Sequence, residues 1–233
     1  MKRSEINNYI REAIHFFDSM SFHLPPWAFW RPDQWKSRYS DCAQIVDNML
    51  GWDITDFGRN DFRRCGLLLF TIRNGNFRRT SEGGETVKSE KPYAEKIMIV
   101  REDQETPYHF HWHKMEDIIN RGGGNLILEL AHATTDGRLA PGQVQVSIDG
   151  VQRTFGAGEP VTLRPGESIT LTPNVYHRFY GENGKGVVLT GEVSMVNDDM
   201  NDNRFLDAQG RFPQIEEDEQ PLHLMVSDYT NYL

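Results

Sequence analysis

The chain has 233 residues, 38% of them hydrophobic and 25% charged, a composition typical of a globular protein with a sizeable core. Its 34 Asp and Glu residues against 25 Lys and Arg give a formal net charge of −9, which argues against a nucleic-acid partner and suits a neutral small substrate. No apolar run has the length of a signal peptide or a membrane span, so we expect a cytoplasmic protein with no membrane partner.

Two amphipathic helices are predicted at the start of the chain. Apolar residues recur at i, i+3 and i+4 over Ile6–Phe17, and Ser4 before them is a candidate N-cap. The same rhythm runs over Asp33–Leu50 and meets Gly51, the residue type expected just past a helix end. Residues 1–64 are therefore predicted to be a helical extension packed on the fold that follows.

From Cys65 onward the pattern changes to short β-rich segments punctuated by Gly, Pro or Asn. The predicted strands are residues 66–73, 95–101, 125–132, 143–148, 167–172 and 187–194. This pattern predicts a mostly β domain over residues 65–233, an antiparallel sandwich or barrel that forms one structural unit. Residues 74–92 are polar and predicted to be a mobile connection. Glu216–Glu219 is predicted to be a solvated acidic run, and His223–Val226 a final strand or edge.

Three histidines stand at every second position ahead of Glu116. In a β-strand, residues i, i+2 and i+4 share one face, so His109, His111 and His113 would present one row of imidazoles. With a carboxylate just after them, they predict a metal site. Two pairs compete as its ligands, His109 with His111 and His111 with His113.

The position of Glu116 favours the first pair. His109-x-His111, four residues, Glu116, six residues and Gly123 resemble the first motif of the cupin family. That resemblance implies a cupin β-barrel, a jelly-roll-like antiparallel sandwich, and it leaves His113 as a neighbour of the site.

Residues 165–177 resemble the second cupin motif, which supplies a further histidine, His177. Asn174 stands where cupins usually have glycine, and asparagine also adopts the left-handed backbone conformation. Three imidazoles and one carboxylate leave open positions on a divalent metal and suit Mn²⁺, Fe²⁺, Co²⁺ or Ni²⁺, with Zn²⁺ also compatible.

Charged residues in or after later strands are candidates for the chemistry beside the metal. Lys96 and Glu192 each lie in a strand whose two faces both look buried, which is costly unless the side chain enters a polar pocket. An edge-strand lysine that reaches water is the alternative for Lys96. Asp199 and Arg204 lie in a loop that would close the pocket mouth, unless it is an ordinary Asp- and Asn-rich turn.

Together these residues resemble more than cupins in general. Lys114–Gly124, the His109-Phe110-His111 before it, Lys96, and Thr190–Ser194 are similar to D-lyxose isomerase, a cupin-type sugar isomerase family, and the resemblance covers most of the chain. It implies a homodimer that interconverts D-lyxose with D-xylulose and D-mannose with D-fructose. It also implies metal binding, usually of Mn²⁺, by His109, His111, Glu116 and His177.

Isomerisation of this kind moves hydrogen between C1 and C2 of the sugar. We predict proton transfer through an enediol, with Glu192 or Asp199 acting at carbon and Lys96 at oxygen, and with Arg204 among the substrate-binding residues. A hydride shift is the mechanistic rival. A cupin dioxygenase and a non-catalytic sugar-binding cupin are the competing functions, because one barrel hosts many activities.

Overall fold

The computed structural model describes residues 1–76, 91–199, 201–207, 210 and 213–233. Its helices are α1 (Arg3–Ser19), α2 (Pro32–Lys36), α3 (Tyr39–Asp47) and α4 (Tyr229–Tyr232), with 3₁₀ turns at Pro26–Phe29 and Val226–Asp228. Its strands are β1 (Gly51–Thr55), β2 (Leu67–Arg73), β3 (Tyr93–Val100), β4 (Thr106–His111), β5 (Glu116–Gly123), β6 (Leu126–His132), β7 (Gln143–Ile148), β8 (Val151–Gly156), β9 (Pro160–Leu163), β10 (Ser168–Leu171), β11 (Val175–Gly181), β12 (Val188–Met195) and β13 (Asn203–Phe205). No helix in these ranges combines the length and the apolar character that crossing a membrane requires.

The strands build two antiparallel sheets that face each other. The larger sheet has the order β1-β2-β3-β12-β5-β10-β7-β8, and the smaller has the order β13-β4-β11-β6-β9. Apolar side chains from both inner faces fill the space between them, among them Met98, Ile118, Leu128, Leu130 and Ile169. This confirms the predicted mostly β antiparallel sandwich, and all six strands predicted from Cys65 onward lie within two residues of observed ones.

α1 covers the outer face of the larger sheet. Its apolar stripe, which includes Ile6, Ile10 and Phe17, packs against Phe70 and Ile97 from β2 and β3. Because side chains alternate along a strand, the neighbouring residues of β2 and β3 point the other way, into the sandwich. The sheet between α1 and the inner core is therefore buried on both faces.

The N-terminal extension departs from its predicted form in two places. The helix predicted over Asp33–Leu50 is two helices, because the chain leaves helical geometry at Arg38, and the Ser37 hydroxyl donates to the carbonyl oxygen of Gln34 at 3.0 Å. The second departure is β1, which lies inside residues 1–64 but pairs with β2 as the edge of the larger sheet. Residues 1–64 are thus partly a component of the sandwich.

The C-terminal region also differs from the prediction. His223–Val226 forms no strand; Met225 makes a single bridge to Trp52 before the chain turns into a 3₁₀ helix. The acidic run is exposed as predicted, yet three of its members bind the start of α1: Glu217 to Arg3, Asp218 to Ser4 and Glu219 to Asn7. Carboxylates at a helix N-terminus are favourable because they complement the helix dipole.

Arg3 is the buried centre of this contact. Its guanidinium is 1% exposed and donates hydrogen bonds to both carboxylate oxygens of Asp228, at 2.7 and 3.0 Å. Replacing Asp228 with alanine should lower the free energy of unfolding by about 3–5 kcal/mol, because it leaves a buried charge short of a partner. Urea unfolding measures this. In the matched control, Glu217→Ala, the lost carboxylate is 52% exposed and the cost should stay below about 1 kcal/mol; equal losses would contradict the prediction.

Candidate active site

Three buried histidines meet between the two sheets. β4 presents His109 and His111 on one face, and its pairing with β11 places His177 directly opposite His109. Candidate ligand nitrogens of the three rings all lie within 4.8 Å of one another. His113 is not part of this group, because β4 ends at His111 and the His113 side chain is exposed.

Backbone carbonyl groups orient two of the three rings. The Nδ1–H of His109 donates to the carbonyl oxygen of Pro107 at 2.9 Å, and that of His177 to the carbonyl oxygen of Val175 at 3.0 Å. In a neutral imidazole this leaves a lone pair on Nε2, the arrangement found in metal-binding histidines. Burial lowers the pKa of His109 and, together with the charge of Lys114, that of His111, which keeps these two rings neutral at pH 7.

The turn before β11 helps to place His177. Asn174 has a φ of +64°, the left-handed conformation expected where cupins usually have glycine. Its N–H donates to the carbonyl oxygen of His111 at 3.0 Å, which connects the turn to the end of β4.

Glu116, the first residue of β5, brings a carboxylate to the histidines from the larger sheet. Its Oε1 lies 3.1 Å from Nε2 of His177 and 3.3 Å from Nε2 of His111. Neither nitrogen makes a hydrogen bond to any residue that the structure describes. His177 carries its proton on Nδ1, so its Nε2 presents a lone pair to this carboxylate oxygen, and the two repel each other unless a cation lies between them. The donor set of three nitrogens and one oxygen therefore fits a divalent transition metal.

The strands of the larger sheet place the second predicted group beside the first. Lys96 on β3 and Glu192 on β12 are direct cross-strand partners, and both side chains are buried. Lys96 Nζ lies 3.5 Å from Glu192 Oε1 and 3.2 Å from Asp199 Oδ1. Lys96 therefore lies in a polar pocket, as predicted for a lysine in a strand that is buried on both faces.

Lys114, for which the sequence predicts no role, joins the two groups. Its fully buried Nζ lies 2.8 Å from Glu116 Oε2, 2.8 Å from Glu192 Oε1 and 3.2 Å from Asn197 Oδ1. Strand alternation gives no signal for this lysine, because Lys114 lies between β4 and β5 and outside a regular strand. Asp202 holds the turn that carries it, because its carboxylate accepts the N–H groups of His113 and Lys114.

The charges of this cluster compensate one another. Burial alone would raise the pKa of Glu116, but the charge of Lys114 and the contacts of His111 and His177 together outweigh it and hold that pKa well below its usual value. Burial alone would lower the pKa of Lys114, but the charges of Glu116 and Glu192 outweigh it and raise that pKa. Both groups are therefore ionised at neutral pH.

The cluster lines a pocket between the two sheets. Apolar side chains such as Met98, Phe179 and Phe205 form much of its wall, and Phe205 stacks on His109 with ring centroids 5.3 Å apart. The structure does not bring Arg204 to the cavity: alternation along β13 turns Asn203 and Phe205 inward and leaves Arg204 exposed. Most of the connection predicted over residues 74–92 lies outside the described residues.

Comparison with known proteins identifies the family. Residues 1–229 match the model of a family described as D-lyxose isomerase. A D-lyxose/D-mannose isomerase from Serratia proteamaculans is 51% identical over 234 residues, and one from Escherichia coli O157:H7 is 47% identical over 233 residues; each match spans 100% of both chains.

Solved structures share the fold at lower identity. L-ribose isomerases from Cellulomonas parahominis and Geodermatophilus obscurus match 93% of this chain and 98% of theirs, with TM-scores of 0.61 and 0.59 at 15% identity. The full-length relatives confirm the resemblance predicted from the motifs, and with it the prediction of an enzyme. The chain belongs to the D-lyxose isomerase family.

Proposed function

We propose that the protein is a metal-dependent aldose–ketose isomerase that interconverts D-lyxose with D-xylulose and D-mannose with D-fructose. The observation that carries the proposal is Lys114, whose ammonium lies 2.8 Å from both Glu116, a candidate metal ligand, and Glu192, a candidate base. This contact supports the proposal because it joins a candidate metal ligand to a candidate proton-transfer group. The names of the full-length relatives support the choice of sugars.

His109, His111, Glu116 and His177 would hold the metal, and Mn²⁺ is the proposed ion. A divalent cation there supplies a Lewis acid that polarises the sugar carbonyl and stabilises negative charge on oxygen. The formal charges of the cluster, three carboxylates (Glu116, Glu192 and Asp199) and two lysines, sum to −1 without an ion. The site is thus electrostatically suited to a cation as well as to a neutral sugar.

The side chains of the cavity can carry the protons. Glu192 would take the proton from C2 of the open-chain aldose, and the electron pair of the C–H bond becomes the C1–C2 double bond of an enediol. Lys114 or Lys96 would stabilise the charge on the C1 oxygen and give it a proton. The hydroxyl proton on O2 then passes to the lysine as the C2 carbonyl forms. Glu192, whose proton exchanges with solvent between the two steps, then delivers a proton to C1 and completes the ketose.

Turnover of a sugar panel tests the function. Protein treated with a chelator should lose isomerase activity and regain it when single divalent metals are added back, with Mn²⁺ the most effective. Oxygen consumption with the same sugars would favour the dioxygenase instead, and binding without turnover would favour a sugar-binding protein. Product formed in D₂O should carry solvent deuterium on carbon; its complete absence would support the hydride shift.

Metal content tests the ligand assignment. His109→Ala, His111→Ala, Glu116→Gln and His177→Ala should each lose bound metal, because each removes one donor from the set. His113→Ala should retain it, since that side chain is exposed outside the group. Retention in His109→Ala together with loss in His113→Ala would refute the assignment.

The buried histidines predict how acid affects the metal-free protein. The pKa values of His109 and His111 lie below the value of 6.5 expected for the unfolded chain, so the unfolded state binds protons first as the pH falls. The free energy of unfolding should therefore be unaffected by these groups above pH 6.5 and decline below it, by at most about 1.4 kcal/mol per pH unit for each histidine.

Urea unfolding of chelated protein between pH 7.5 and 5.5 measures this slope. His109→Gln should reduce it, because that variant lacks one titrating ring, and His113→Ala should leave it unchanged. An equal slope in wild type and His109→Gln would contradict the prediction.

The protein is also proposed to be a homodimer. Analytical ultracentrifugation of the same protein tests this proposal.

A further inference from the structure

Asn197, just past the end of β12, connects the two lysines of the cavity. Its Oδ1 accepts hydrogen bonds from Lys96 Nζ at 3.0 Å and from Lys114 Nζ at 3.2 Å. Both neighbours are ammonium groups that only donate, so the amide oxygen must face them. One neutral acceptor thus bridges two cations that come from different parts of the chain.

The shared amide oxygen counters the repulsion between the two lysine ammonium groups. Lys114 and Lys96 approach the same oxygen of Glu192, at 2.8 and 3.5 Å, and two like charges this close repel each other. Glu192 attracts both but does not fix the separation between them. A shared amide oxygen adds a second fixed point without adding negative charge, so each ammonium has one defined position relative to the Glu192 carboxylate.

The backbone of Asn197 is itself held by a buried side chain. Asn74, which follows β2 and is 4% exposed, accepts the Asn197 N–H with its Oδ1 at 3.0 Å and donates its Nδ2 to the Asn197 carbonyl oxygen at 3.0 Å. Asn74 also exchanges side-chain to backbone hydrogen bonds with Asn48, which follows α3, at 3.1 and 3.2 Å. A chain of three asparagines therefore runs from the helical extension to the lysines.

We propose that Asn197 is a positioning residue for the isomerisation, held in place by Asn74, and that it sets the two lysine ammonium groups in register with Glu192. The inference rests on the proposed isomerase function. Neither asparagine acts directly at the reacting atoms. Removal of the shared oxygen instead misaligns the proton-transfer groups.

Steady-state kinetics of Asn197→Ala tests the inference. The variant should lose about 10- to 100-fold in kcat with KM within about threefold of wild type, because misplaced groups slow the chemical step without removing binding contacts. Metal content should be unchanged. The kinetic isotope effect on kcat with sugar deuterated at C2 should rise, which a merely structural defect in a folded protein would not produce.

Two further variants test whether the position of the Asn197 side-chain oxygen accounts for the loss of kcat. Asn197→Asp keeps an oxygen where both lysines need it and should recover most of the lost kcat. Asn74→Ala leaves the Asn197 side chain in place but frees its backbone, so it should lower kcat by a smaller factor with KM again unchanged.

Asn120→Ala is the matched structural control. Asn120 is a fully buried asparagine that binds the backbone of Gly122, Gly124 and Leu163. The variant should lower the free energy of unfolding while the folded protein keeps its kcat. Wild-type kcat in Asn197→Ala, or the same kcat loss in Asn120→Ala, would overturn the inference while leaving the isomerase function intact. A wild-type protein with no turnover would overturn the proposed function and the inference with it.

Discussion

Replacing Glu192 with glutamine should lower kcat for D-lyxose by about 10³-fold, the range measured for loss of a general base. Glutamine has the same shape, and its carbonyl oxygen can still accept the hydrogen bonds of Lys114 and Ser194 that now reach Oε1 at 2.8 and 3.0 Å. What it lacks is the basicity to take a proton from carbon. Metal content and KM should therefore change little, and steady-state kinetics with metal analysis measures both.

Asp199→Asn is the matched control for this experiment. It makes the same carboxylate-to-amide change at the other candidate base, which contacts Lys96 at 3.2 Å. If Glu192 is the base, the control should lose about tenfold in kcat or less, through a weakened hold on Lys96. A larger loss in Asp199→Asn than in Glu192→Gln would instead identify Asp199 as the base.

Replacing Lys114 with methionine should damage both activity and stability. Loss of a preorganised donor at developing charge costs about 10²–10³-fold in kcat. The same change leaves Glu116 and Glu192 buried without their shared cation, and breaking a buried pair in this way lowers the free energy of unfolding by about 3–5 kcal/mol. Urea unfolding of the metal-free protein, beside steady-state kinetics, separates the two effects.

The Lys114→Met variant also has a pH signature. The charge of Lys114 lowers the pKa of Glu116, so its removal raises that pKa and lets protons compete with metal at higher pH. Metal affinity of the variant should therefore weaken between pH 7 and pH 5.5 more steeply than that of wild type. Lys96→Met is the control, because Lys96 pairs with Glu192 and Asp199. Identical pH profiles for wild type and Lys114→Met would show that Lys114 does not act on Glu116.

Period-two alternation explains why parts of this site could be predicted from the sequence. The faces of β3 follow directly from it, with Ile97 and Ile99 packed against the helical layer and Lys96 turned inward with Met98. His109 and His111 share a face for the same reason. These are local properties of single strands, so they can be predicted from the sequence.

Contacts made outside regular strands could not be predicted in the same way. Lys114 lies in the turn between β4 and β5, where no period fixes the direction of a side chain, and its partner Glu192 is 78 residues away. The sequence does not predict β1, because this short strand directly follows a segment with a helical pattern, although Trp52 and Ile54 alternate with polar residues. The sequence predicts Arg204 at the pocket mouth because it follows Asp199 in the same segment, but alternation along β13 turns its side chain outward.

The candidate metal donors come from both sheets, with the histidines on β4 and β11 and Glu116 on β5. A cation bound by such a set is held only while the two sheets are packed together, so binding and cohesion of the sandwich are thermodynamically linked. Once the free metal concentration exceeds the dissociation constant, each tenfold increase should add about 1.4 kcal/mol to the free energy of unfolding. Metal supply would then govern the lifetime of the folded enzyme as well as its rate.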